Sequence, residues 1–299
     1  MGTFLGHILP GLALFIYGLH LIIKSLRLYF TTRQRNSRFT SSASFPCNCL
    51  CGKLKELPME GYIKIFFTLV MITAEIVTGH KDGQIVILSN LQHSSMYAFF
   101  GLNGLIDVLA HYKVSLPPDM DYASSALAFI IEAVLFKFHV RGRTILDMTV
   151  HTFLLYTIYA TVIALVMEMK FRNNVLGPLT RGYTIMLQGS WFTQLAFILY
   201  NPVGEGLIWD DSNDNYTLAA VTFAWHCGGN FIAVLIICAL ISLYYRRHGG
   251  ISQDDGLSMK RLIHTGANGQ TLVALNNDSD LDSDIEFQRP LSLSMNTAD

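Results

Sequence analysis

Seven stretches of mostly apolar residues dominate this 299-residue chain, at about 4–26, 62–79, 91–111, 121–140, 144–168, 181–200 and 216–245. A helix rises about 1.5 Å per residue, so about 20 such residues cross the hydrocarbon of a bilayer. In hydrocarbon each backbone N–H and C=O has to find its partner within the protein, which leaves helices as the form such stretches take. The expected fold class is therefore all-α, a polytopic membrane protein whose seven-helix transmembrane bundle occupies residues 1–248. Hydrophobic residues make up 51% of the chain and charged ones 14%, against about a quarter charged in a soluble domain. A net charge of −1 gives no basic face, so nucleic acid is excluded as a partner and membrane lipids are expected instead.

Charge between the stretches sets the expected orientation. The loop over residues 27–60 carries Arg27, Arg33, Arg35, Arg38, Lys53 and Lys55, and the segment after the last stretch opens with Arg246 and Arg247. Basic flanks stay in the cytoplasm, so loop and C-terminus share that side and the number of spans is odd. The N-terminus then lies outside or in the lumen. It has no basic n-region and no small-residue cleavage site, so the first stretch reads as a retained helix rather than a removable signal. The expected location is a membrane of the secretory pathway or the plasma membrane. Residues 201–215 fall on the outer side, with Glu205, Asp210, Asp211 and Asp214 and no Lys or Arg. Asn215 opens an N-glycosylation sequon there. The basic turn KFHVRGR, Lys137 to Arg143, lies on that same side against the rule, which suggests that Arg141 and Arg143 serve a polar site.

Two segments read as unstructured. TTRQRNSRFTSSAS, residues 31–44, is polar and Ser/Thr-rich, and residues 249–299 form a disordered acidic cytoplasmic tail. The acidic NNDSDLDSDIEF within it offers a contact for cytosolic trafficking partners. Cys47, Cys49 and Cys51 lack the second ligand pair of a structural zinc site, and beside a membrane they read as acceptors of palmitate.

Ionisable groups inside a bilayer are costly unless paired or bound, and they mark functional sites. Glu132 and His139 are seven residues apart and share a helix face. Asp147 and His151 are four apart and do the same. The expected topology also brings His7, Glu75, His93 and His226 into the outer half. Imidazoles and carboxylates suit a divalent metal such as zinc, and they equally suit a proton relay or another ligand. Three readings follow: a polar ligand or metal site used for transport or sensing, a metal-dependent membrane hydrolase acting on lipids through activated water, or a non-catalytic trafficking or scaffolding protein. The chain shows no H-E-x-x-H, no G-x-S-x-G, no P-loop and no dinucleotide fingerprint. Gln188 and Gln194, six apart with Trp191 between them, read as packing groups first and pocket lining second. Asp107 and His111, one turn apart, suggest a local hydrogen bond.

Several short motifs occur in a characteristic order. They are Gly6-His7 with Pro10-Gly11, Ala74-Glu75, Gln92-His93-Ser94 with Met96-Tyr97 and Phe99-Phe100, and Asp107. Glu132, Leu135-Phe136, His139, Arg143, Leu146-Asp147, His151 and Leu154-Leu155-Tyr156 continue the series. Leu187-Gln188-Gly189 with Trp191-Phe192 and Gln194, and finally Trp225-His226, complete it. In this order the chain resembles the transmembrane protein 45 family, whose relatives include epididymal transmembrane proteins. Arg141 and Thr149 stand where that family tends to carry further histidines. The resemblance implies a multi-pass membrane protein and carries no established reaction with it.

Overall fold

The computed structural model describes residues 3–45, 57–81, 84–85, 88–140, 142–201, 204 and 209–249. Cys47, Cys49, Cys51, Arg141 and the acidic tail lie outside the described residues. Among the described residues seven helices follow one another: α1 (Phe4–Gln34), α2 (Met59–Gly79), α3 (Leu88–His111), α4 (Met120–His139), α5 (Ile145–Lys170), α6 (Leu176–Tyr200) and α7 (Asn213–Gly249). A short antiparallel ladder, β1 (His80–Lys81) with β2 (Gln84–Ile85), turns the chain from α2 into α3 and sets His80 opposite Ile85. The protein is an all-α polytopic membrane protein. By length and composition α1, α2, α4, α5 and α7 are apolar enough to cross a membrane.

The other two helices carry polar groups that the neighbours cover. On α6, Arg181, Thr184 and Gln188 are all buried, because α1, α5 and α7 pack around that helix. Large apolar side chains point the other way. Leu5, Ile16, Phe66, Val77, Ile163 and Leu240 are each exposed, the arrangement expected when lipid rather than water surrounds the bundle.

Neighbouring helices run α2, α3, α4, α5, α6, α1, with α7 against α1, α5 and α6. The contact between α1 and α6 is the tightest. Gly11 and Gly18 of α1 face Gly189 and Gly182 of α6, seven residues apart on each helix. A methyl group on Gly18 would lie 2.7 Å from the carbonyl of Gly182. On Gly189 it would meet the backbone nitrogen of Phe15 and come within 2.6 Å of the carbonyl of Gly11. Without a hydrophobic drive between helices in lipid, such close backbone approach supplies the attraction. Gly61 and Gly104 repeat the device between α2 and α3, where a Cβ on either falls within 2.9 Å of the other's carbonyl.

The first loop departs from the sequence expectation. The helix runs on to Gln34 instead of ending near residue 26, and the polar segment after it folds back into the bundle. Phe39, Ser41, Ala43 and Phe45 are buried. Arg181 of α6 donates to the carbonyls of Ala43 and Ser42, both at 2.9 Å. The amide of Ser41 donates to the carbonyl of Arg172 at 2.7 Å, and the amide of Phe45 to Glu60 at 2.9 Å. Low hydrophobicity argued for disorder, but here the backbone carbonyls, which composition does not reveal, satisfy a buried arginine.

At the other end, acids cap a helix. Thr144 accepts from the amide of Asp147 as the N-cap of α5, and Asp211 reaches across to accept from Ile145 and Leu146 at 3.2 and 2.7 Å. Two of the unpaired amides at a helix start are thereby satisfied by one carboxylate. The Ser212 hydroxyl donates to Asp210 and holds its carboxyl below the usual range. Asn215 is buried, and its side-chain amide donates to the Asp210 carboxylate at 2.5 Å. A glycan on Asn215 would take one of the two side-chain N–H groups that donate to the carbonyl and carboxylate of Asp210.

Candidate functional site

Helices α1, α2, α3 and α4 surround a cavity of about 570 Å³. It extends from His7 to His20 along α1, about 20 Å of helix. Most of its wall is apolar, from residues such as Phe67, Met96, Phe100, Phe129 and Phe136. Tyr17 donates to Glu60 at 3.1 Å and His20 approaches the same carboxylate at 3.6 Å, joining α1 to α2 at one end. Along the rest of that gap the cavity borders Leu9, Leu12, Ile16 and Ile63, which are exposed on the lipid-facing surface.

Near the N-terminus of the bundle the expected polar residues do assemble. Their order in space is Glu75, His93, His139, Arg143, Asp147, His151, His7. Glu75 accepts from His93 Nδ1 at 3.0 Å, and the rings of His93 and His139 are 4.7 Å apart. Arg143 donates to His139 Nε2 and to Asp147, each at 3.0 Å. The carboxylate of Asp147 lies 2.7 Å from His151 Nδ1, while the Asp147 carbonyl takes that ring's hydrogen bond at 2.8 Å. The rings of His151 and His7 stand edge to face at 5.9 Å. Arg143 thus acts as an internal counter-ion, which accounts for a basic turn on the side expected to lack one.

Partner chemistry fixes the tautomers. A carbonyl only accepts, so His7 Nδ1, 3.0 Å from the Thr3 carbonyl, and His151 Nδ1 both carry protons. A guanidinium only donates, so His139 Nε2 is an acceptor, and its Nδ1 donates to Gln92 at 3.3 Å. His93 Nδ1 likewise faces an acceptor, the Glu75 carboxylate, so all four rings carry a proton on Nδ1.

Glu132 and His226 fall outside that chain. Glu132 lines the middle of the cavity and is 6% exposed. Its Oε1 accepts from Gln188 at 2.8 Å, whereas Oε2 has no partner among the described residues. His226 sits between α6 and α7, 3.2 Å from the Ser190 hydroxyl and with its ring against Trp191. Trp191 donates to the Val150 carbonyl at 2.9 Å and is fully buried, a packing residue. Gln194 is half-buried on α6. Among the described residues no three His, Cys, Asp or Glu side chains converge as metal ligands.

A second polar cluster at the opposite end was not read from the sequence. Lys64 lies 2.7 Å from Asp107, 3.0 Å from Asn103 and 3.4 Å from Glu60. Asp107 therefore bonds to Lys64 on α2 and not to His111 one turn away. The signal was present in Glu60 and Lys64, four apart on one face and bordering an apolar run.

A family model described as a family of unknown function (DUF716) matches residues 118–239, which include α4, α5, α6 and most of α7. The chain is similar to transmembrane epididymal protein 1 of Rattus norvegicus, 24% identical over 268 residues that cover 82% of this chain and 83% of the relative. Transmembrane epididymal protein 1A of Mus musculus is 24% identical over 263 residues, with the same coverage of 82% and 83%. Transmembrane epididymal protein 1 of Homo sapiens is 26% identical over 208 residues, 65% of this chain and 75% of that protein. The seven-helix bundle with its polar-ended cavity is thus that of a multi-pass membrane protein related to the transmembrane epididymal proteins.

Proposed function

We propose that this protein binds an amphiphilic small molecule of the membrane in the cavity between α1 and α4, for transport or sensing. The observation that carries this reading is the cavity itself: about 570 Å³, apolar along its length, polar at both ends and flanked by lipid-facing side chains at the α1–α2 gap. Ligand pockets are commonly 300–1,000 Å³, mostly apolar and fitted with a few placed polar groups. A site reached from the bilayer side needs an apolar entry, and Leu9, Leu12, Ile16 and Ile63 form one. The histidine–carboxylate chain is the polar terminus of this site rather than a metal centre, because its members are paired in sequence and not gathered around a point. Membership of the transmembrane protein 45 family belongs to the same reading. So does an outside or lumenal N-terminus in the secretory pathway or plasma membrane, which rests on the basic ends of α1 and α7.

The test is extraction of full-length protein in mild detergent and mass spectrometry of what co-purifies. Ala13 borders the cavity, so Ala13→Trp fills it. Wild type should retain single-chain amphiphiles and the variant should lose them at unchanged thermal stability. Equal amphiphile content in both proteins would sink the reading. Stoichiometric zinc that is lost in His151→Ala would replace it with the metal site.

A further inference from the structure

The atoms left open in the cavity select the head group of its occupant. His7 and His93 line the cavity and both commit Nδ1, the first to the Thr3 carbonyl and the second to Glu75. In its neutral form each ring then offers Nε2 to the cavity as an acceptor. His151 Nε2 is buried behind Phe136 and has no partner among the described residues. Midway along the cavity stands Glu132 with Oε2 unpaired. A buried unpaired carboxyl oxygen of this kind has to be met by something.

The fixed cations beside the cavity cannot serve an anion. Lys64 is held by Glu60, Asp107 and Asn103. Arg143 is held by Asp147 and His139. Carboxylates outnumber these two cations around the cavity, and Glu132 is met by an uncharged amide alone among the described residues. A carboxylate or phosphate head would find no uncommitted cation there, only hydroxyls such as those of Tyr97 and Ser125, whereas an ammonium or hydroxyl head meets the open carboxyl oxygen of Glu132.

We infer that the cavity takes a long-chain amine or amino alcohol, with its head on Glu132 and its chain against Phe100 and Phe129. This rests on the reading that the cavity binds an amphiphile and adds the chemistry of the head.

The experiment uses full-length protein in detergent and four probes that share one 18-carbon unsaturated chain: oleylamine, monooleoylglycerol, oleic acid and oleoyl lysophosphatidate. Each competes with a fluorescent long-chain amine at equal micellar mole fraction and pH 7.4. Oleylamine should displace the reporter at a concentration on the order of tenfold below oleic acid or lysophosphatidate, the ratio expected from one charge-assisted hydrogen bond. Monooleoylglycerol should fall between them. In Glu132→Gln, which keeps the shape and removes the charge, the advantage of oleylamine over monooleoylglycerol should vanish. Anionic probes that bind as well as oleylamine, or a preference that survives Glu132→Gln, overturn the inference and leave amphiphile binding standing. Failure of all four probes and of the reporter to bind would defeat the underlying reading as well.

Discussion

Arg181 and Glu168 face each other at 2.9 Å with side chains 1% and 0% exposed, a charged pair sealed inside the bundle between α6 and α5. Tyr122 donates to Glu168 at 2.9 Å, and the remaining guanidinium nitrogens are spent on the carbonyls of Ser42 and Ala43. Neither charge can be removed alone without stranding the other.

The first prediction follows from that pair. Arg181→Met should lower stability by about 3–5 kcal/mol, because an uncompensated buried carboxylate remains. Arg181→Met with Glu168→Leu should recover part of the loss. Thermal denaturation in one detergent compares the three proteins. A single variant as stable as wild type would show that the pair is not holding the loop.

Helix approach gives the second. Gly189→Ala inserts a methyl group against the backbone of α1, so overpacking should cost about 1–3 kcal/mol. Gly228→Ala on α7 meets nothing within 4 Å and should be neutral or gain about 0.5–1 kcal/mol from helix propensity. The same melting experiment reads both.

The third concerns the cap supplied by Asp211. Removing it in Asp211→Ala should cost about 0.5–2 kcal/mol. Hydrogen exchange should quicken at the amides of Ile145 and Leu146, with the amides of α6 unaffected. Unchanged protection at those two positions would mean that water replaces the carboxylate at no cost.

Topology gives the fourth. Tags placed within residues 46–56 and after Asp282 should both react with antibody once the plasma membrane alone is opened, as the basic flanks direct. One tag accessible and the other not would require an even number of crossings.

For the fifth, hydroxylamine-sensitive acylation is expected on Cys47, Cys49 or Cys51, since thiols in a reducing cytosol do not hold stable disulfides. Acyl-exchange labelling should disappear when all three become serine, and a signal that persists would place the lipid elsewhere.

Hydrophobic runs made all seven helices legible, five of them apolar enough to cross a membrane and α3 and α6 apolar between the polar groups they bury. The pairing of Asp147 with His151 was legible too, being one turn apart on one helix. What the runs concealed was set by contacts between distant segments. Lys64 meets Asp107 across two helices, and no spacing within either helix predicts it. Polar loop residues such as Ser41 looked solvated because composition records side chains, whereas the bundle uses that loop's carbonyls. His226 was grouped with the other histidines by depth alone, and the azimuth of α7 turns it towards Ser190.

The glycine faces of α1 and α6 also impose an order of events during synthesis. Gly11 and Gly18 emerge from the ribosome well before the surface they fit, which belongs to α6. Ala43 likewise waits for Arg181, which lies 138 residues further on. At roughly 5–20 residues per second, α1 spends on the order of ten seconds in the membrane with its closest-packing face uncovered. During that interval the helix is a target for insertion chaperones, or for α6 of a second nascent chain, and ribosome pausing before α6 would lengthen it.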